Sequence, residues 1–230
     1  MWGSTPSYTT SAYTITNPQA PRKGFSLLEV EHILIAFVVL TFDFTVLYSG
    51  VAGPNMFFTQ RTGTVNAALL GALPAALLVA TTGFFSHEMA HKFVAQSMGM
   101  WAEFRMALGW LMLSIVGALI GFLFAAPGAT VVRGVGTRRE AGLLSLAGPG
   151  INMIWAAGFT AASLLPLHYW GSAYWSGAFF LVGFVNLWFA IFNLIPFGPL
   201  DGRKVLAWNH WVWGVAFFGT VAAFISFYIL

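Results

Sequence analysis

Residues 67–96 read AALLGALPAALLVATTGFFSHEMAHKFVAQ. From Ala67 to Phe85 no side chain is charged, and a helix needs about 20 apolar residues to cross the hydrocarbon of a bilayer. His87, Glu88, His91 and Lys92 then follow without any turn signal between them and the apolar run. A charged group at mid-span costs about 2.5–3.5 kcal/mol. Residues of this kind on a spanning helix need either a partner or a chemical task.

The remainder of the chain repeats the apolar theme. Of its 230 residues 58% are hydrophobic and 7% charged, against roughly a quarter charged in a soluble domain. Five segments are long and apolar enough to cross: 31–50, 67–96, 141–165, 174–195 and 205–230. The reading is an α-helical polytopic membrane protein embedded in a lipid bilayer, with five to six spans. Residues 1–30 read as a flexible cytoplasmic tail, since Met1 to Pro21 is polar and contains no apolar signal-peptide core. Ser26 with Glu29 reads as a capping box that opens the first helix. Residues 31–204 form the membrane core, and 205–230 are a last span that could gate access. The net charge of +3 is small and gives no reason to expect nucleic-acid binding. Without cysteine, a metal site has only His, Asp, Glu and backbone oxygen to draw on.

A sixth apolar stretch, 106–126, carries glycines at 109, 117 and 121 and ends at Pro127. Charge parity decides its course. Arg22 and Lys23 precede the first span, which predicts a cytoplasmic N-terminus. If 106–126 makes no net crossing, nine of the ten basic residues fall on the cytoplasmic side and only Arg61 lies outside. If it crosses once, five of them move outside and the bias vanishes. The stretch therefore re-enters and returns, or crosses twice as two short halves. Ala129–Val132, rich in branched residues, reads as a short β element after it.

His87 and His91 are four apart, hence on one helix face and able to share one ion. Glu88 is rotated roughly 100° from His87 at 3.6 residues per turn, so it lies beside a metal and can take a proton from water. A catalytic zinc site needs a third protein ligand. His32, His168 and His210 lie at span edges or in loops. Glu29, Glu31, Glu103 and Glu140 flank spans and read as solvated, and Asp43, inside the first span, has no evident task. Asp201 lies in Asn193-Leu194-Ile195-Pro196-Phe197-Gly198-Pro199-Leu200-Asp201-Gly202, where two prolines and two glycines break a span. Parity places it on the side of His87 and His91, and position favours it as a ligand. Glu103 or Glu140 would serve instead in a membrane metalloprotease with a glutamate ligand, and a membrane metal transporter or sensor would use the same ligands with no need for Glu88.

An early His-Glu-x-x-His, followed by Asn-x-x-Pro and Leu-Asp-Gly in a later span, resembles the site-2 protease family of intramembrane zinc metalloproteases. The match runs from about Ala67 to Lys204. The resemblance implies one catalytic zinc on His87, His91 and Asp201, with Glu88 activating water. It implies that Asn193 orients substrate or stabilises the oxyanion. Gly148-Pro149-Gly150-Ile151-Asn152 resembles another family motif, which makes Asn152 a possible substrate or site-polar contact. The implied activity is peptide-bond hydrolysis in or near a transmembrane segment of a membrane-spanning protein substrate, as in regulated intramembrane proteolysis. The implied location is the cell membrane, with the site toward the cytoplasm. The 106–126 stretch is longer than a simple hairpin loop, and no appended domain is evident, which resembles the minimal prokaryotic and archaeal type.

Overall fold

Helix α1 (Leu27–Ser49) begins at Ser26, whose Oγ accepts from Glu29 N at 3.1 Å, and stops at Gly50 in the left-handed conformation, φ 64°. The computed structural model describes residues 24–52, 63–122, 127–134, 136–165 and 173–227. The tail before Gly24 lies outside these. The expected capping box at α1 is only half formed. The Glu29 carboxylate turns away from its own helix to Lys92 Nζ, 2.8 and 2.7 Å from its two oxygens, and to Phe104 N at 2.9 Å. Glu29 and Lys92 are both completely buried, so the solvated reading of Glu29 is wrong. Glu103 is buried too, beside Arg105. A carboxylate at a span edge looks solvated in sequence because its tertiary partner is distant in the chain.

Helix α2 (Val65–Ser97) is 33 residues long, about 50 Å at 1.5 Å per residue. Thr64 caps it, and Ala80–Phe85 form a π-helical turn just ahead of the His-Glu motif. Strand β1 (Trp101–Met106), helix α3 (Leu108–Leu119) and strand β2 (Gly128–Arg133) follow. β1 and β2 pair antiparallel from Trp101 opposite Arg133 to Met106 opposite Gly128. Ala107 N donates to Pro127 O at 2.8 Å. A Cβ on Gly128 would overlap the backbone of Arg105 and Met106, so only glycine lets the strands close there.

The two ends of the 107–127 segment therefore meet. Helix α3, with 12 residues, spans about 18 Å, too short for a hydrocarbon core of about 30 Å. The segment's two described ends lie at one level. The expected β element at Ala129–Val132 falls within β2. Its partner β1 was not foreseen, because WAEFRM carries two charges and lacks strict alternation.

Helix α4 (Arg138–Leu164) opens on a full capping box of Thr137 and Glu140. Helix α5 (Ala173–Leu194) packs antiparallel to it, with Asn152 meeting Asn186 and Ser163 meeting Ser176. Helices α6 (Asp201–Trp208) and α7 (His210–Phe227) complete the described chain. Four helices, α1, α2, α4 and α5, are long and apolar enough to cross a membrane. The fifth expected span, 205–230, is interrupted. Asn209 is extended at φ −154°, and its Oδ1 accepts from Trp211 N and Val212 N, which caps a new helix. Residues 228–230 lie outside the described chain.

Glu29 meets Lys92, His91 meets Leu144, and Asn152 meets Asn186, so successive spans alternate in direction. Lys92, Arg105, Arg133, Arg138, Arg139, Arg203 and Lys204 consequently sit at one end of the bundle. The core lies between α1, α2, α3 and α5, around Leu40, Phe44, Val79, Leu111, Val185 and Phe189. Lipid gives apolar side chains no reason to prefer each other, so close fit and interhelical hydrogen bonds hold such a bundle together.

Candidate metal centre

His87 and His91 stand one turn apart on α2, directly after its π-helical turn. Their Nε2 atoms lie 3.0 Å from each other. Asp201, the first residue of α6, brings Oδ2 to 3.5 Å from His87 Nε2 and 3.1 Å from His91 Nε2. Donors bound tetrahedrally at about 2.0–2.2 Å stand about 3.3–3.6 Å from each other, so this triangle accommodates one zinc with shifts of a few tenths of an ångström. All three ligand atoms lie within 4.8 Å of one another, and the three residues could hold a metal ion.

The far side of each imidazole is also occupied. His87 Nδ1 is 2.6 Å from Asn152 Oδ1, and His91 Nδ1 is 2.8 Å from the carbonyl of Leu144. Both partners accept, so Nδ1 carries the proton and Nε2 keeps its lone pair for the metal. Gly148, on α4 between Leu144 and Asn152, faces the rings. A Cβ there would overlap Nε2 of both histidines, in the space an ion needs.

Asp201 reaches the site because α5 ends at Leu194 and Pro196 and Pro199 bar its continuation. The turn between carries Gly198 at φ 58°. Trp213 Nε1 donates to Leu194 O at 2.8 Å, which satisfies a carbonyl left open by the helix end. Lys204 Nζ is 3.9 Å from Asp201 Oδ1.

Glu88 lies beside the triangle, 9% exposed. Its Oε2 accepts from Thr130 N at 2.8 Å, and Thr130 Oγ1 is 2.8 Å from the same oxygen. Strand β2 thus holds the carboxylate by backbone and side chain together. Asn193 is half-buried on α5, with Nδ2 donating to Phe189 O at 3.0 Å in its own helix. His87, Glu88, His91, Thr130, Asn193 and Asp201 share the walls of one cavity of about 200 Å³, with Leu40, Phe84, Phe189 and Phe192 as its apolar lining.

Asn152 is completely buried. Its Nδ2 donates to Gly83 O and Asn186 Oδ1, each at 3.0 Å, and to Thr82 O at 3.3 Å. Of the two contacts expected for it, the structure shows the site-polar one, to His87. Glu103 and Glu140 do not join the cluster. The sequence does not mark Thr130, Lys204 or Asn186 as site residues, and it marks Gly148 only as part of the motif that carries Asn152. Asn186 left a signal, a lone amide deep in an apolar span and seven residues before Asn193.

No family model and no solved structure matches the chain. It is similar to a protein of Methanocaldococcus jannaschii described as a putative zinc metalloprotease, 39% identical over 143 residues, 60% of this chain and 72% of the relative. A Synechocystis protein of the same description is 32% identical over 144 residues, 62% of this chain and 32% of the relative. A third, from Mycolicibacterium smegmatis, is 38% identical over 73 residues, 30% of this chain and 27% of the relative. The zinc-ready triangle, the buried glutamate beside it and these likenesses agree, and the chain belongs to a site-2 protease-like family of zinc metalloproteases.

Proposed function

We propose that this protein is an intramembrane zinc endopeptidase, hydrolysing a peptide bond in or near a transmembrane segment of a membrane-protein substrate. The observation that carries the reading is the convergence of His87, His91 and Asp201 on one point beside Glu88, in a cavity walled by helices long enough to span a membrane. Zinc bound there would supply Lewis acidity, polarising the scissile carbonyl and lowering the pKa of water toward neutrality. Glu88 takes the proton of the attacking water and hands it to the leaving amine. Thr130 aims the Glu88 carboxylate. Asn193 has a second amide N–H beyond the one given to Phe189 O, and donates it to the developing oxyanion. The seven basic residues at the metal end support a cell-membrane location with that end cytoplasmic.

The test is cleavage of a synthetic membrane-spanning substrate in liposomes by wild type and Glu88→Gln, with zinc measured in both. The expected result is one zinc in each protein and cleavage by wild type alone. Equal cleavage by both, or zinc transport across the liposome without cleavage by either, overturns the reading.

A further inference from the structure

We infer that Glu29, through its pairing with Lys92, is a positioning residue for Glu88 and acts across the two-stranded sheet. The inference rests on the reading of Glu88 as the base. Phe104 and Thr130 are directly opposite each other in the β1–β2 register. Each sends its N–H outward, away from the other strand, as one class of antiparallel pair must. On one edge Thr130 N donates to Glu88 Oε2 at 2.8 Å, and on the other Phe104 N donates to Glu29 Oε1 at 2.9 Å. The sheet is held at the same rung by two glutamates.

Lys92 closes the circuit. It is four residues after Glu88 on α2, so helix and sheet are joined twice, once at each carboxylate. Lys92 Nζ touches both oxygens of Glu29 and donates to Ala102 O at 2.9 Å, and it stands 4.5 Å over the Phe25 ring. One turn along α1 from Glu29, His32 Nδ1 accepts from Met106 N at 3.4 Å. Side chains of α1 thus take the outward N–H groups of β1 at two successive outward positions.

A fully buried ion pair is weak evidence of stability, since apolar residues of similar volume often do as well. What this pair contributes is place. It sets the height of β1 on α1 and α2, and with it the height at which Thr130 meets Glu88. A base misplaced by about 1 Å can lose about 100-fold in rate.

The experiment compares the full chain with Glu29→Leu/Lys92→Met, which removes both charges together, and with Glu29→Gln/Lys92→Met, which restores only the acceptor for Phe104 N. The readouts are kcat per bound zinc and KM on the synthetic substrate. The expected result for the first variant is full zinc, unchanged KM and kcat per zinc lowered about 10-fold or more. The second should recover most of that loss. Glu29→Asp covers the case in which the first variant does not fold. It keeps the charge against Lys92, shortens the reach to Phe104 N, and should lower kcat per zinc at unchanged KM. A merely structural role would lower zinc-loaded protein and leave kcat per zinc alone. Wild-type kcat per zinc in Glu29→Leu/Lys92→Met or in Glu29→Asp, with Glu88→Gln inactive, overturns the inference and spares the protease reading. An active Glu88→Gln overturns the protease reading itself.

Discussion

His87 Nδ1 lies 2.6 Å from Asn152 Oδ1, and this contact fixes the tautomer of a proposed metal ligand from a neighbouring helix. The amide cannot turn over, because its Nδ2 is held by the carbonyls of Thr82 and Gly83 and by Asn186 Oδ1. Those carbonyls are accessible for a local reason. In the π-helical turn Ser86 N reaches back to Thr81 O, which withdraws it from Thr82 O. The vacated oxygen receives Asn152 Nδ2 and the Ser86 hydroxyl. π-helical turns of this kind recur at functional sites.

Asn152→Leu should therefore weaken zinc binding by about 10–100-fold, the usual effect of removing a partner that orients a ligand histidine. Competition with a calibrated chelator measures it. Wild-type affinity in this variant would show that the contact does not hold the ring.

Gly148→Ala should be more severe for the metal and mild for the fold. The added Cβ meets Nε2 of both histidines, yet α4 is helical at this position and alanine is favoured there over glycine by roughly 1 kcal/mol. The expected outcome is near-complete loss of bound zinc with unchanged helical circular dichroism. Full zinc content in Gly148→Ala would place the ion elsewhere.

Much of this was legible in the sequence, and unevenly so. The spanning helices announce themselves by length and apolarity, and charge parity alone requires 106–126 to return. His87 and His91 were legible because ionisable groups on membrane helices are costly and few, and Asp201 because it follows a span end broken by two prolines and two glycines. Glu29 was misread, because a carboxylate at a span edge looks the same whether it meets water or a lysine 63 residues away. Thr130 was read as a strand residue and no more, since no periodicity tells which donor a strand edge turns toward Glu88. The break at Asn209 escaped notice within an apolar run, although asparagine is a ready helix cap.

Thr130→Val removes the hydroxyl contact to Glu88 Oε2 and leaves the backbone N–H in place. The carboxylate keeps one of its two anchors. Its aim should loosen without being lost, with kcat falling about 10-fold and both KM and zinc content unchanged. Thr130→Ser, which restores the hydroxyl, should recover the rate. Equal rates for the valine and serine variants would remove the hydroxyl from the account.

Asp43 tests the opposite kind of residue. It is completely buried on α1, where neither carboxyl oxygen completes a hydrogen bond of good geometry and the Ser114 side chain of α3 is a polar neighbour. It faces none of the site chemistry described above. A polar group buried without a partner costs roughly 2–7 kcal/mol depending on the reference medium. Truncation therefore relieves about as much as the small cavity takes away. Leu40, one turn earlier and equally buried, has no such offset, and Leu40→Ala should cost about 2–5 kcal/mol. Thermal unfolding in detergent should then show Leu40→Ala clearly destabilised and Asp43→Ala at or above the wild-type midpoint. If Asp43→Ala melts as early as Leu40→Ala, the carboxyl is stabilising through its contact with Ser114 on α3.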